Sequence, residues 1–313
     1  MEALLAHSFD YLSSYDQTKI RKGLRQVEGL LAQICLSRGG GAPKPSAADR
    51  RRSTVSVNNS NNNNNHNHNN ASNTAATPAP PKSLSELCDD PAFREFYKLQ
   101  EGFQWNVALR LISCLEHLLG RGSNGANDLL IIAALDLIQG VLLLHPPSRA
   151  LFAREIYMNL LLDLLEPANC PAIQSSTLLT LVTALLDSPA NTRTFEDLDG
   201  LLTITSLFKL RSTSREVKLK LVEFLYFYLM PETPISPSSS PGRPHKVAAG
   251  GGGGGARAAS GVSDAGVAGG GRDVSRDTKN TEEKQALLGK YLSNVEDLVE
   301  DLKETAPFGG TVY

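Results

Sequence analysis

Apolar residues recur along most of this chain at spacings of three and four, the mark of helices with one buried stripe. From Ala3 to Leu36 the positions Leu4, Leu5, Phe9 and Leu12, then Ile20, Leu24, Val27, Leu31 and Ile34, predict two amphipathic helical pieces around Ser13-Ser14-Tyr15-Asp16. Asp90 to Leu119 carries Phe93, Phe96, Phe103, Val107, Leu111, Cys114 and Leu118, which predicts an irregular capping helix pair. Three later stretches, 130–143, 173–186 and 216–229, overlay at an offset of 43 residues. Leu135, Leu178 and Leu221 coincide, as do Ile138, Leu181 and Phe224, then Leu142, Leu185 and Tyr228, then Leu143, Leu186 and Leu229. The same shift pairs Pro146 with Pro189 and Phe152 with Phe195, and sets Leu160, Leu161, Leu164 and Leu165 over Thr203, Ile204, Leu207 and Phe208.

Helix, proline-bearing turn and helix at this period match the ~40–47-residue unit of armadillo and HEAT repeats. Leucine-rich helices of any bundle can also overlay by chance. The expected fold is all-α: an armadillo/HEAT-like helical repeat solenoid, a right-handed curved slab whose groove binds extended peptides or the faces of other domains. The expected organisation is N-terminal helices over 1–37 packing on the solenoid, a core over 83–231, and an acidic amphipathic helix over 282–304 with a tail at 305–313. That last helix has a seam of Leu288, Tyr291, Leu292, Val295, Leu298, Val299 and Leu302 opposite Glu296, Asp297, Glu300 and Asp301. It either folds back onto the groove or reaches a partner.

Between these blocks the composition changes. Residues 38–82 pass from a Gly run through an Asn tract (Asn58 to Asn70, broken by Ser60, His66 and His68) into Thr77-Pro78-Ala79-Pro80-Pro81. Residues 232–281 hold Thr233-Pro234, Ser236-Pro237, Ser240-Pro241 and the Gly run 250–255. Such sequence cannot bury enough apolar surface to offset its ordering entropy, so both read as disordered linkers.

The formal net charge is −2 over 313 residues. Between Ser83 and Pro231, 17 Asp/Glu stand against 12 Lys/Arg, a difference of −5. Nucleic acid is therefore not an expected partner, because a duplex binder needs a basic stripe. Cys35, Cys88, Cys114 and Cys170 are too scattered for a redox or zinc motif and read as buried thiols of a reducing compartment. No basic n-region precedes an apolar run at the start, and the longest apolar run, 129–144, is interrupted by Asp136 and Gln139. Cytosol or nucleus is expected, without membrane insertion.

No residue constellation fits an enzymatic template, so no catalytic residue, metal, cofactor or small-molecule substrate is expected. Gly289-Lys290 is followed by Tyr291 in a predicted helix and lacks the phosphate-loop spacing. His117 and His145 read as helix-end caps, and Glu196-Asp197-Asp199 as first-turn charges of a helix. Two features are candidate partner contacts. Trp105 lies off the main stripe and serves either second-face packing or a partner anchor. Lys209, Arg211, Arg215, Lys218 and Lys220 form a basic cluster in an acidic block, either a solvated helix entry or a docking site for an acidic or phosphorylated segment. Ser53, after Arg50-Arg51-Arg52, and Thr233, Ser236 and Ser240 are candidate phosphosites.

Three stretches carry a resemblance: Phe93 to Gln100 leading to Trp105-Asn106-Val107-Ala108, Ser214 to Lys218 continuing through Glu223 to Thr233, and Leu288 to Leu302. They resemble the fungal cell division control protein 14 family, a septation-initiation-network component distinct from the phosphatase of the same name. The resemblance implies a non-catalytic regulatory or scaffold subunit. It would bind a germinal-centre-type serine/threonine protein kinase, together with other septation network proteins. It would support that kinase's activity and its localisation at the spindle pole body, in septum formation and cytokinesis. No site residues transfer with it. The alternative is an armadillo-like peptide-binding adaptor outside cell division.

Overall fold

Short polar side chains and prolines start most of the helices. Asp16 accepts from Thr18 N at 2.8 Å to open α2 (Gln17–Cys35), after α1 (Glu2–Leu12). Ser83 and Glu86 cap each other reciprocally at α3 (Leu84–Asp89), and Asp90 accepts from Ala92 N at 2.7 Å in front of α4 (Pro91–Glu101). Asn106 caps α5 (Val107–Leu119) through Leu109 N at 2.9 Å, and α6 (Asp128–Leu144) follows. Beyond α7 (Glu155–Asp163), prolines stand in the first turns of α8 (Pro171–Leu185) and α9 (Pro189–Asp197), where a missing N–H costs nothing. Then come α10 (Gly200–Lys209), α11 (Arg215–Leu229), α12 (Thr281–Leu288) and α13 (Val295–Thr305).

The computed structural model describes residues 1–36, 81–120, 125–232 and 278–305. Those residues are predominantly helical, and their one extended pairing is an isolated antiparallel bridge between Leu36 and Pro81. They form two compact units, Met1–Ser148 and Arg149–Tyr313, so the stretch expected as one core over 83–231 is divided after Ser148.

In the first unit α1 packs against α2 and α5, and α2 against α6. The α1–α2 approach is close: a Cβ at Gly23 would sit 3.1 Å from the Ser8 carbonyl oxygen. Leu5, Ile20, Ile34, Leu111, Ile112, Leu115 and Leu118 are buried within this unit. A buried polar chain ties α4, α5 and the end of α6 together. Gln100 accepts from Val107 N at 2.7 Å, Asn106 donates to Ser148 Oγ at 3.2 Å, and Ser148 Oγ meets His145 Nδ1 at 2.8 Å. His145 caps α6, as expected, but it is also buried against the Tyr97 ring, 4.5 Å between centroids.

In the second unit α8 packs on α11, and Phe195 lies 5.6 Å from Phe224 and 6.4 Å from Tyr228 between ring centroids. Gly200 is obligatory beside this cluster, since a Cβ there would fall 2.3 Å from the Phe195 ring. Thr177, Thr180 and Thr183 are tolerated inside α8 because each hydroxyl donates to the carbonyl four residues earlier, at 2.8–3.0 Å.

The 43-residue offset reappears as a recurrence of elements. A long helix, a short proline-initiated segment and another helix follow one another twice, with the 3-10 segment Pro146–Ala153 standing where α9 stands 43 residues later. The first three overlaid columns are buried throughout, as are Phe152 and Phe195. The fourth is not: Leu143 is 52% exposed, Leu186 half-buried and only Leu229 buried.

Other expectations are corrected. Residues 282–304 are not one helix: α12 ends at Leu288, and 289–294 form the turn before α13, so Lys290 and Tyr291 are not helical. Both pieces fold back onto α11, burying Leu288, Leu292, Val295 and Val299 and leaving Glu296, Asp297 and Glu300 exposed. Glu196 and Asp197 close α9 and do not open a helix. Of the four cysteines only Cys114 is buried, its thiol pushed up to about 12 by desolvation; Cys88 is exposed.

The two stretches read as linkers begin and end at single places. Lys82 N donates to Cys35 O at 2.8 Å, its ammonium donates to Ile34 O at 2.6 Å, and that ammonium also pairs with Asp90. Glu232 N donates to Lys279 O at 3.1 Å, and Lys279 N returns to Glu232 Oε2 at 2.9 Å. Lys82, Glu232 and Lys279, all inside the predicted linkers, are thus fixed parts of the fold.

Two outcomes follow. Replacing residues 37–80, or 233–277, by a Gly-Ser turn of about four residues should leave Tm unchanged or raised by a few degrees, because each halving of a closed loop recovers about 0.6 kcal/mol. A fall of more than ~5 °C by circular dichroism would show that the removed residues pack on the fold. His145 gives a pH dependence. Burial lowers its pKa, against the field of Glu101, so the fold favours the neutral ring and its contribution is complete above the unfolded value. That contribution falls as pH drops below about 6.5. Urea midpoints for wild type should decline between about pH 7 and 5 more steeply than those of His145→Gln, and parallel curves would refute the assignment.

Candidate functional site

The residues singled out from the sequence fall in both units. Trp105 ends the 3-10 turn Phe103–Trp105 between α4 and α5. It is half-buried, its ring centroid 6.3 Å from that of Phe9, and its carbonyl accepts from Gln100 Nε2 at 3.2 Å. The aromatic that faces solvent at this turn is Phe103, 74% exposed, which the apolar pattern had placed in the helix stripe.

In the second unit Lys209, Arg211, Arg215 and Lys218 surround the turn from α10 to α11. Lys209 lies in the last turn of α10 and its ammonium donates to the Tyr291 carbonyl at 2.5 Å, so it braces the segment before α13. Arg211 and Arg215 are exposed and Lys218 is half-buried. Among the described residues none of these three forms an ion pair. Lys220 is neutralised by Glu223 at 2.8 Å. Leu219, 60% exposed, and Leu210 lie beside the free cations. Ser53, Thr233, Ser236 and Ser240 lie outside the described residues.

The most heavily built group of charges escaped the sequence pattern. Arg193 reaches Glu232 at 2.5 Å and Glu196 at 3.3 Å, Lys279 reaches Glu196 at 2.5 Å, and Lys284 reaches Glu232 at 3.1 Å. Tyr228 donates its hydroxyl to Glu196 at 2.7 Å, and Lys284 also donates to Met230 O at 2.9 Å over the Tyr228 ring. Burial drives the Tyr228 hydroxyl strongly up, helped by its bond to Glu196. Burial lowers the Lys284 ammonium, opposed by Glu232. The cluster joins α9 and the end of α11 to α12, and so clamps the C-terminal segment. A cavity of about 140 Å³ adjoins it, lined by Pro189, Phe227, Met230, Pro231 and the Lys284 stem. The one trace in the sequence is that Glu232 and Lys279 are charged residues at the borders of low-complexity sequence.

Removing one partner from this clamp should cost more than removing two. Glu232→Gln leaves Arg193 and Lys284 facing each other and should lose about 3 kcal/mol, while adding Lys284→Met should recover part of that loss. Urea unfolding of the single and double variants measures both. A Glu232→Gln loss under ~0.5 kcal/mol would mean the cluster is solvated and contributes little.

Among the described residues no group of three or more His, Cys, Asp or Glu could hold a metal ion. No single helix there is long and apolar enough to cross a membrane. A family model described as "Cell division control protein 14, SIN component" matches residues 1–308. Cell division control protein 14 of Schizosaccharomyces pombe is 32% identical over 230 residues, covering 71% of this chain and 81% of that protein. No solved structure matches. The resemblance carried by Phe93–Ala108, Ser214–Thr233 and Leu288–Leu302 thus extends to nearly the whole sequence, and the chain belongs to the cell division control protein 14 family, a component of the septation initiation network in cell division.

Proposed function

We propose that this chain is a non-catalytic, armadillo-like subunit of the septation initiation network. It holds a germinal-centre-type serine/threonine protein kinase and supports that kinase's activity and its localisation in the cytoplasm and at the spindle pole body during septation and cytokinesis. The observation that carries the reading is the family match over residues 1–308, with its description as a network component.

Three features agree with it. The element order recurs at the armadillo period. The ionisable groups of the clamp are engaged with one another, an arrangement that serves packing. Apolar side chains are left on helix surfaces in each unit, Leu129 and Leu143 in the first and Leu202, Leu219 and Met230 in the second, as contacts for other proteins.

Capture of the tagged full chain from dividing fungal cells should recover a germinal-centre-type kinase. The purified pair should phosphorylate a generic substrate faster than the kinase alone. Recovery of transport machinery without any kinase would replace this reading by the peptide-carrying adaptor.

A further inference from the structure

Most cations of the second unit are spent internally. Arg193, Lys279 and Lys284 face Glu196 and Glu232, Lys220 faces Glu223, and Lys209 is held by the Tyr291 carbonyl. Arg154 and Lys290 are exposed and also outside these ion pairs, but Arg211, Arg215 and Lys218, two exposed and one half-buried, fall together at the α10–α11 turn without an ion-pair partner among the described residues.

Their placement costs stability. The first turn of a helix carries the positive end of its dipole and favours carboxylates. Here it holds Arg215 and Lys218 against the single acid Glu216. Fold stability does not account for Arg215 and Lys218 at that point, whereas an anion arriving from outside would be attracted by both and by Arg211 at the preceding turn.

The surroundings narrow the anion. Glu216 and Glu223 are exposed on the same helix, and α13, which packs on α11, exposes Glu296, Asp297 and Glu300. An extended polyacidic segment would run from three cations into this rim of carboxylates. A compact group of nearly two negative charges would not, and guanidinium groups match phosphate oxygens bidentately.

We propose that Arg211, Arg215 and Lys218 receive a phosphorylated serine or threonine on an extended segment of a partner protein. The phosphate oxygens accept from the two guanidinium groups and the ammonium. Leu219 and Leu210, both exposed, take the apolar residues flanking the phosphate. This goes beyond kinase binding and stands without it.

The test uses the immobilised full chain and degenerate peptide libraries with a fixed central phosphothreonine, phosphoserine, threonine or glutamate. Either phosphorylated library should be retained ~10–100-fold more strongly than the threonine library, the range that charge-assisted hydrogen bonds supply. Arg211→Ala/Arg215→Ala should lose at least ~10-fold of that retention, Lys218→Glu alone a comparable amount, and Arg25→Ala on the first unit none. Equal retention of the glutamate library would overturn the proposal in favour of an acidic segment. Retention that survives both variants, equal loss in Arg25→Ala, or capture by phosphatidylserine vesicles without phosphopeptide preference would also overturn it. Kinase recovery from cells with no phosphopeptide preference sinks this proposal alone; the reverse outcome sinks only the kinase reading.

Discussion

Lys284 and Glu232 are taken almost wholly out of water, their side chains 5% and 9% exposed. Either charge left alone there would cost several kcal/mol, so the arrangement persists only when Lys284, Glu232, Arg193, Glu196 and Lys279 are present together. That requirement fixes the register of the returning chain. Lys279 and Lys284 are five positions apart at the start of α12 and meet carboxylates from two different places, the end of α9 and the segment that follows α11. Sliding α12 by one residue would separate both pairs at once. The apolar residues from its last position onward, Leu288, Leu292, Val295 and Val299, could tolerate such a slip far better, because hydrophobic burial is non-directional.

A fixed re-entry point changes what the intervening sequence means. A spacer between two domains has a length set by the gap it spans. When the residues on either side are hydrogen-bonded to each other, as Glu232 and Lys279 are and as Cys35 and Lys82 are, no gap exists. Insertion length then enters only through loop closure, which grows logarithmically. The fold can therefore carry an Asn tract and a Gly run at small thermodynamic cost. The relative of 32% identity aligns over 81% of its own length, so most of that chain corresponds to this one.

What was legible in the sequence followed from periodicity. Helices and buried columns such as Leu135, Leu178 and Leu221 express a 3.6-residue period that survives any tertiary detail. The misreadings came where periodicity is silent. Phe103 and Leu143 are apolar in the right window yet exposed, because membership of a stripe does not say whether anything covers it. The seam from Leu288 to Val299 is apolar on both sides of the 289–294 turn, so spacing alone continued one helix through Gly289. Glu196 was placed at a helix start from its acidic neighbours, although the α9 C-terminus is where the dipole disfavours it. It tolerates that position because Lys279, 83 residues away, supplies the missing charge. Contacts of that separation leave no local signature.

The two kinds of charge in the second unit then separate by their effect on the fold. Clamp residues are paired, largely buried and decisive for register, and their loss is felt as instability. At the α10–α11 turn Arg215 and Lys218 oppose the dipole of their own helix and, like Arg211, form no ion pair among the described residues, so removing Arg215 or Lys218 should leave stability unchanged or slightly raised. A surface kept against its own electrostatic preference is where a partner's charge has most to offer. Binding there gains attraction that the free protein lacks, and little of it is offset by breaking an internal bond. The same accounting weakens the clamp as a docking site, since a partner's carboxylate would have to displace Glu232 or Glu196 from contacts already made at 2.5 Å.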